Sequence, residues 1–203
     1  MVVGLMLLVG AAWAFGVLAE DVATGDPIVR LDQWVADGLH DRRSGQVTAI
    51  MSVITTLGTA WALVPIAVAA AAYLLWRGSR REAILVALAI VGAELLTLGF
   101  KTGFERRRPF FPDPLATESS FSFPSGHATV SVALYGALAY IAATRLHRPA
   151  NRRAVLGATS AFVLLIGFSR LYLGVHFLSD VLAGFSGGLA WLVLCVLALG
   201  IRR

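Results

Sequence analysis

The chain has one cysteine, Cys195, and it lies inside an apolar run. That excludes an internal disulfide and any cysteine-based metal site. Lysine is almost missing too: Lys101 is the only one, so 16 of the 17 basic residues are Arg. Charge of either sign is scarce, at 14% of 203 residues, whereas a soluble domain carries about 25%. The 58% of hydrophobic residues fall in long runs, so lipid rather than water is the expected solvent. The first run, Met1–Ala19, lacks a basic leader and a clear small-x-small cleavage site before Glu20. It is therefore expected as a retained first span. A repeat of 20–50 residues and low-complexity tracts are also missing, which excludes a solenoid.

What is present is a set of apolar segments of spanning length. They run roughly over Met1–Ala19, Val47–Trp76, Ala83–Phe100, Ala128–Thr144, Ala154–Phe168 and Phe177–Ile201. Backbone polar groups must be satisfied internally in lipid, so the fold class is all-α: a polytopic bundle of six transmembrane helices. The second segment is long enough to tilt, with a kink expected at Pro65. The fifth is short unless it continues through Leu171–Val175. Between the first two spans, Ile28, Leu31, Trp34, Val35 and Leu39 recur at helical spacing, with Arg30, Asp32, Asp37 and Asp41 between them. This predicts a short amphipathic helix in the membrane interface, anchored by Trp34 and serving as a connector. Gly184, Gly187 and Gly188 would allow close helix packing in the sixth span.

A net charge of +5 can signal nucleic acid, but these Arg residues punctuate the ends of apolar runs, as membrane topology requires. The loops after the second and fourth spans and the C-terminus hold Arg77, Arg80, Arg81, Arg145, Arg148, Arg152, Arg153, Arg202 and Arg203 against Glu82 alone. The opposite side carries most of the acids, Asp26 and Asp180 among them. The Arg-rich side, with both termini, is expected in the cytoplasm. Independently of orientation, alternating spans put Lys101, His127, Arg170 and His176 at helix ends on one face. By the Arg distribution, that face is extracytoplasmic.

These ends carry the chemistry. Lys101 and Arg108-Pro109 flank a turn into a proline-rich loop with Pro112, Pro114 and Pro124. Arg grips phosphate through two donors and Lys as a point charge. Arg106 and Arg107 read as topology or headgroup residues. Pro124-Ser125-Gly126-His127 opens the fourth span: Ser caps, Gly admits close approach, and the free amides make an anion site. His176 and Asp180 are spaced i, i+4 on one face if the sixth helix has begun. The carboxylate can then hold one ring nitrogen and leave the other free to attack phosphorus. Neutral His176 as nucleophile and protonated His127 as acid divide the work, with Lys101, Arg108 and Arg170 neutralising the transferring phosphoryl group. Protein cations would make a metal unnecessary, and no cofactor is expected.

In order and spacing, Lys101-x6-Arg108-Pro109, Pro124-Ser125-Gly126-His127 and Ser169-Arg170-x5-His176-x3-Asp180 resemble the complete signature of the type 2 phosphatidic acid phosphatase superfamily. These are integral-membrane lipid phosphate phosphatases, and vanadium haloperoxidases share the motif. Residues 32–58, with Ile54-Thr55-Thr56-Leu57-Gly58, resemble the early region of bacterial members. The resemblance implies a phosphohistidine on His176, His127 as acid and Asp180 as its partner. It also implies phosphate contacts from Lys101, Arg108, Ser125, Gly126, Ser169 and Arg170, a six-helix bundle, and metal-independent hydrolysis. Residues 1–203 would form a single membrane-embedded phosphatase domain. Its partners would be the bilayer and a lipid phosphate or diphosphate: undecaprenyl diphosphate, phosphatidylglycerol phosphate or phosphatidic acid. Two alternatives stay open, a lipid phosphotransferase using the same site and a transporter with an anion site. Glu94, two turns before Lys101, is expected to face the bundle, where it would partner a cation, line the substrate pocket or make a structural interhelical hydrogen bond. Phe110, Phe111, Phe121 and Phe123 border the loop as interfacial anchors.

Overall fold

The computed structural model describes residues 2–25 and 27–201. Met1, Asp26, Arg202 and Arg203, four residues used in the span and charge assignments above, lie outside the described residues. Eight helices follow one another: α1 (Val2–Thr24), α2 (Pro27–His40), α3 (Gly45–Thr56), α4 (Ala60–Trp76), α5 (Arg80–Phe104), α6 (Gly126–Arg145), α7 (Pro149–Tyr172) and α8 (Leu178–Ala198). Taking α3 and α4 together, six of these segments are long and apolar enough to cross a membrane. The large apolar side chains left exposed, such as Trp13, Trp61, Val68 and Leu95, are those such spans present to lipid.

The second span is interrupted at Leu57–Thr59, and Pro65 sits within α4. The hydroxyls of Thr56 and Thr59 donate to the carbonyls three residues back, at 2.6 Å each, and so compete with the helical ladder there. A side chain at Gly58 would meet Ile166 Cγ2 at 2.7 Å and His127 Cδ2 at 2.9 Å. The bare backbone lets this break press against the fourth span. The fifth span does continue, reaching Tyr172 before Gly174 turns the chain at φ +70°.

Backbone approaches backbone closely between α6 and α8. A Cβ on Gly188 would lie 2.4 Å from the Thr129 carbonyl oxygen, and one on Gly184 would lie 2.8 Å from that of Ser125. Two glycines four residues apart thus let the two backbones touch, the small-residue solution to helix association in lipid. The Ser125 amide then donates to the Asp180 carbonyl at 3.0 Å, which ties the starts of both helices together. Ala89, Ala93, Ala133 and Ala137, all 0% exposed, continue the small-residue packing between α5 and α6.

The short helix α2 joins α1 to α3, but its polar face is not wholly outward. Asp32, assigned to its polar face, is 0% exposed, while Leu31 and Trp34 are 43% and 73% exposed. Its protein-facing stripe is Asp32, Ala36 and Leu39. The carboxylate turns inward because a guanidinium awaits it there, as described next.

Candidate active site

Two chain reversals meet at one end of the bundle. Here lie the last turn of α5 with its following loop, the start of α6, and the α7–α8 turn. His176 is 3% exposed and stands between two groups. Its Nδ1 lies 3.4 Å from Asp180 Oδ2, and its Nε2 lies 3.1 Å from an Arg108 terminal nitrogen. The partners assign the tautomer: Nδ1–H donates to the carboxylate, and Nε2 keeps its lone pair. Burial away from water pushes His176 down to about pKa 4, reinforced by Arg108 and Arg170 and opposed by Asp180. The ring is therefore neutral near pH 7.

Asp180, at the third position of α8, accepts the Phe177 amide at 2.8 Å through Oδ2 and also the Ser122 hydroxyl. The same carboxylate thus caps the helix and aims the imidazole. Arg108 is fixed by carbonyls, donating to Ser120 O at 2.7 Å, Val175 O at 2.6 Å and Phe121 O at 3.1 Å. Lys101 Nζ donates to Ser120 Oγ at 2.8 Å and Phe121 O at 2.7 Å. Arg170 donates to Thr55 Oγ1 at 2.8 Å and pairs with Glu118 of the loop. Ser125 Oγ, His127 Nε2 and Arg170 Nε are buried and have no hydrogen-bond partner among the described residues. Native interiors rarely leave such groups unpaired. These three, from the start of α6 and the end of α7, are candidates to hold an oxyanion. Gly126, the first residue of α6, follows Ser125 and brings the bare helix start to the same place.

Other residues lie differently from their sequence reading. Arg106, read as a topology residue, turns inward and pairs with both Asp180 and Asp32. Arg107 is exposed. The Ser169 hydroxyl donates to Ile166 O of its own helix at 2.6 Å. Glu94 lies on the exposed side of α5, with no hydrogen bond or ion pair among the described residues. The inward stripe of α5 is Val86, Ala89, Ala93 and Thr97, and the residue after Ala93 is rotated about 100° away from it. Phe123 is no interfacial anchor: it is 0% exposed and packs on Phe15 and Phe104. Phe111 stacks on His40, while Phe110 is 88% exposed. Thr55 and Gly58 were legible only through the resemblance around residues 54–58. Asp32 was legible only as a helix-spaced acid.

A membrane-spanning bundle that gathers an oxyanion cradle and a carboxylate-held neutral imidazole at one end belongs to the enzymes that work on phosphate esters at bilayers. The family model described as the PAP2 superfamily matches residues 82–203, and the chain belongs to that superfamily. A Bacillus subtilis (strain 168) protein, phosphatidylglycerophosphatase B, is 37% identical over 176 residues, 86% of each chain. A crystal structure of a transmembrane PAP2-type phosphatidylglycerolphosphate phosphatase from Bacillus subtilis is 33% identical and superposes with a TM-score of 0.87, covering 97% of this chain and 98% of that one. The crystal structure of Aquifex aeolicus LpxE shares the fold at 21% identity, with a TM-score of 0.66 over 82% of this chain and 94% of that one. The protein is a multi-pass membrane lipid phosphate phosphatase.

Proposed function

We propose that residues 1–203 act as one membrane-embedded domain that hydrolyses a terminal phosphate from a lipid through a phosphohistidine on His176. The observation that carries this reading is the geometry of His176, whose Nδ1 faces Asp180 and whose Nε2 faces Arg108. Phosphatidylglycerol phosphate is the favoured substrate, supported by the names of two relatives at 37% and 33% identity. Lys101, Arg108 and Arg170, with the start of α6, hold the phosphoryl oxygens. Nε2 attacks phosphorus, the bond to the lipid oxygen breaks, and His127 gives that oxygen its proton. The negative charge of the bound phosphate holds that proton on His127 against the cations around it. In the second half, neutral His127 takes a proton from water, the water oxygen bonds to phosphorus, and the P–N bond breaks. Free phosphate leaves, and the His176 lone pair is restored.

The Arg distribution supports placing this end of the bundle outside the cytoplasm, with both termini inside. One experiment addresses chemistry and sidedness together. A short-chain lipid phosphate with a labelled phosphate is supplied outside sealed, right-side-out membrane vesicles containing the protein, in EDTA. Free labelled phosphate outside the vesicles is the expected product. Label on a second lipid would replace hydrolysis by transfer, and turnover only after the vesicles are opened would reverse the orientation.

A further inference from the structure

The two oxygens of Asp180 have different company. Oδ2 serves His176, Phe177 and Ser122, whereas Oδ1 receives the Arg106 guanidinium at 2.5 Å. Asp180 is 0% exposed, so this charge is entirely desolvated. Arg106 does not stop there. Its other terminal nitrogen donates to Asp32 Oδ2 at 2.7 Å, and Asp32 is also 0% exposed. Ser179 locks the pair: its amide donates to Asp32 Oδ1 at 2.8 Å, its hydroxyl donates to Asp32 Oδ2 at 2.5 Å, and that hydroxyl accepts from Arg106 at 2.7 Å. The guanidinium also lies over the Phe177 ring, 4.6 Å from its centroid. Three parts of the chain therefore join in one buried row, Asp32–Arg106–Asp180.

We propose that Arg106, held by Asp32 of α2, is a positioning residue for the phosphatase reaction, fixing Asp180 so that Oδ2 stays aimed at His176 Nδ1. The proposal rests on reading His176 as the nucleophile. The row explains why two acids are used. Arg106 alone would cancel the Asp180 charge and leave the imidazole facing a neutral pair. Asp32 cancels Arg106 instead, so the row keeps one net negative charge beside a ring that becomes positive on phosphorylation. Buried ion pairs hold geometry well once every donor and acceptor is matched. Other charged groups facing His176 are Arg108 from the loop, Arg170 from α7 and His127 from α6, and none of these belongs to the row.

The row predicts opposite electrostatic effects from its two ends. Arg106→Gln leaves two unbalanced negative charges near His176 and favours imidazole protonation. The acidic limb of kcat/KM should move upward from about 4. Asp32→Asn leaves the row neutral, so that limb should not rise. Both variants should lose about 10–100-fold in kcat, as outer partners of a site typically do, with KM nearly unchanged because neither touches the phosphate cations. Arg106→Lys, which keeps the charge but not the fork, should recover only part of the rate.

The test is kcat, KM and the pH profile of purified wild type and the three variants, with thermal melting as a fold check. Folded Arg106→Gln with a wild-type kcat and an unmoved acidic limb overturns the proposal. If Arg106→Gln fails to fold, near-isosteric Asp32→Asn decides, and a wild-type kcat there overturns it. Should that variant also fail, Arg106→Lys decides by the same criterion. His176→Ala is measured alongside. Full turnover in it would sink the nucleophile assignment, whereas a dead His176→Ala beside wild-type-like row variants would sink only the row.

Discussion

Replacing His176 with alanine is expected to abolish phosphate release from a lipid phosphate while the protein remains folded and inserted. The loss should be at least about 10³–10⁴-fold, since under the proposed mechanism it removes the atom that would attack phosphorus rather than a group that assists it. The fold should survive because the structural duties at this turn belong to other residues. Asp180 keeps the Phe177 amide, the Ser122 hydroxyl and Arg106 without the imidazole. Gly174 still makes the turn at φ +70°, and Arg108 still holds the Val175 carbonyl. Labelled lipid phosphate, quenched during turnover, should leave label on the wild-type chain and none on the variant. A melting temperature matching wild type, together with unimpaired turnover, would remove His176 from the mechanism.

The second large effect lies far from any reacting atom. Gly188→Val would set a branched side chain against the Thr129 carbonyl, which a Cβ alone would approach to 2.4 Å. The obstruction is backbone, so no rotamer change relieves it, and α8 must move away from α6. Overpacking of this kind costs typically about 1–3 kcal/mol and more where backbone blocks it. The displacement runs along α8 to the Ser125–Asp180 backbone bond that joins the two helix starts. A markedly lower melting temperature in detergent and loss of most phosphate release are expected together. Wild-type melting would show that α6 and α8 do not touch as described.

How legible all this was in the sequence depended on the kind of signal. Apolar runs of spanning length gave the six crossings, and span parity placed Lys101, His127, Arg170 and His176 at a common end. His176 and Asp180 do meet, but not across one helical face: the helix begins only at Leu178, so His176 lies in the turn before the cap and reaches back to the first turn of α8. The break at Leu57–Thr59 was not legible, because threonine hydroxyls and a glycine read as ordinary small residues in an apolar run. Pro65 drew attention instead, and it sits inside α4, where it removes one ladder hydrogen bond without ending the helix. Asp32 and Arg106 were misread for a related reason. Each was assigned from local rules, acid on a polar face and Arg at a span end, and their partners lie 74 residues or more away in sequence. Glu94 was legible only in part: the small-residue stripe of α5 leaves it outside rather than facing the bundle, yet its charge acts on Lys101, the kind of cation partner its position suggested.

The pairing of Arg170 with Glu118 has a consequence for a bilayer crowded with other phosphates. A lipid entering the cradle must exchange one anion for another. A phosphodiester headgroup brings a single charge and displaces a carboxylate of equal charge, so it gains little. A terminal phosphate brings about 1.5–2 negative charges near neutral pH and wins the exchange. With Arg170 as the proposed phosphate contact, Glu118 would act as a toll set just above what bulk anionic lipid carries, and Glu118→Gln should lift it. That variant is expected to be inhibited by phosphatidylglycerol vesicles that leave the wild type unaffected; equal sensitivity in both would show that the loop acid plays no part in selection.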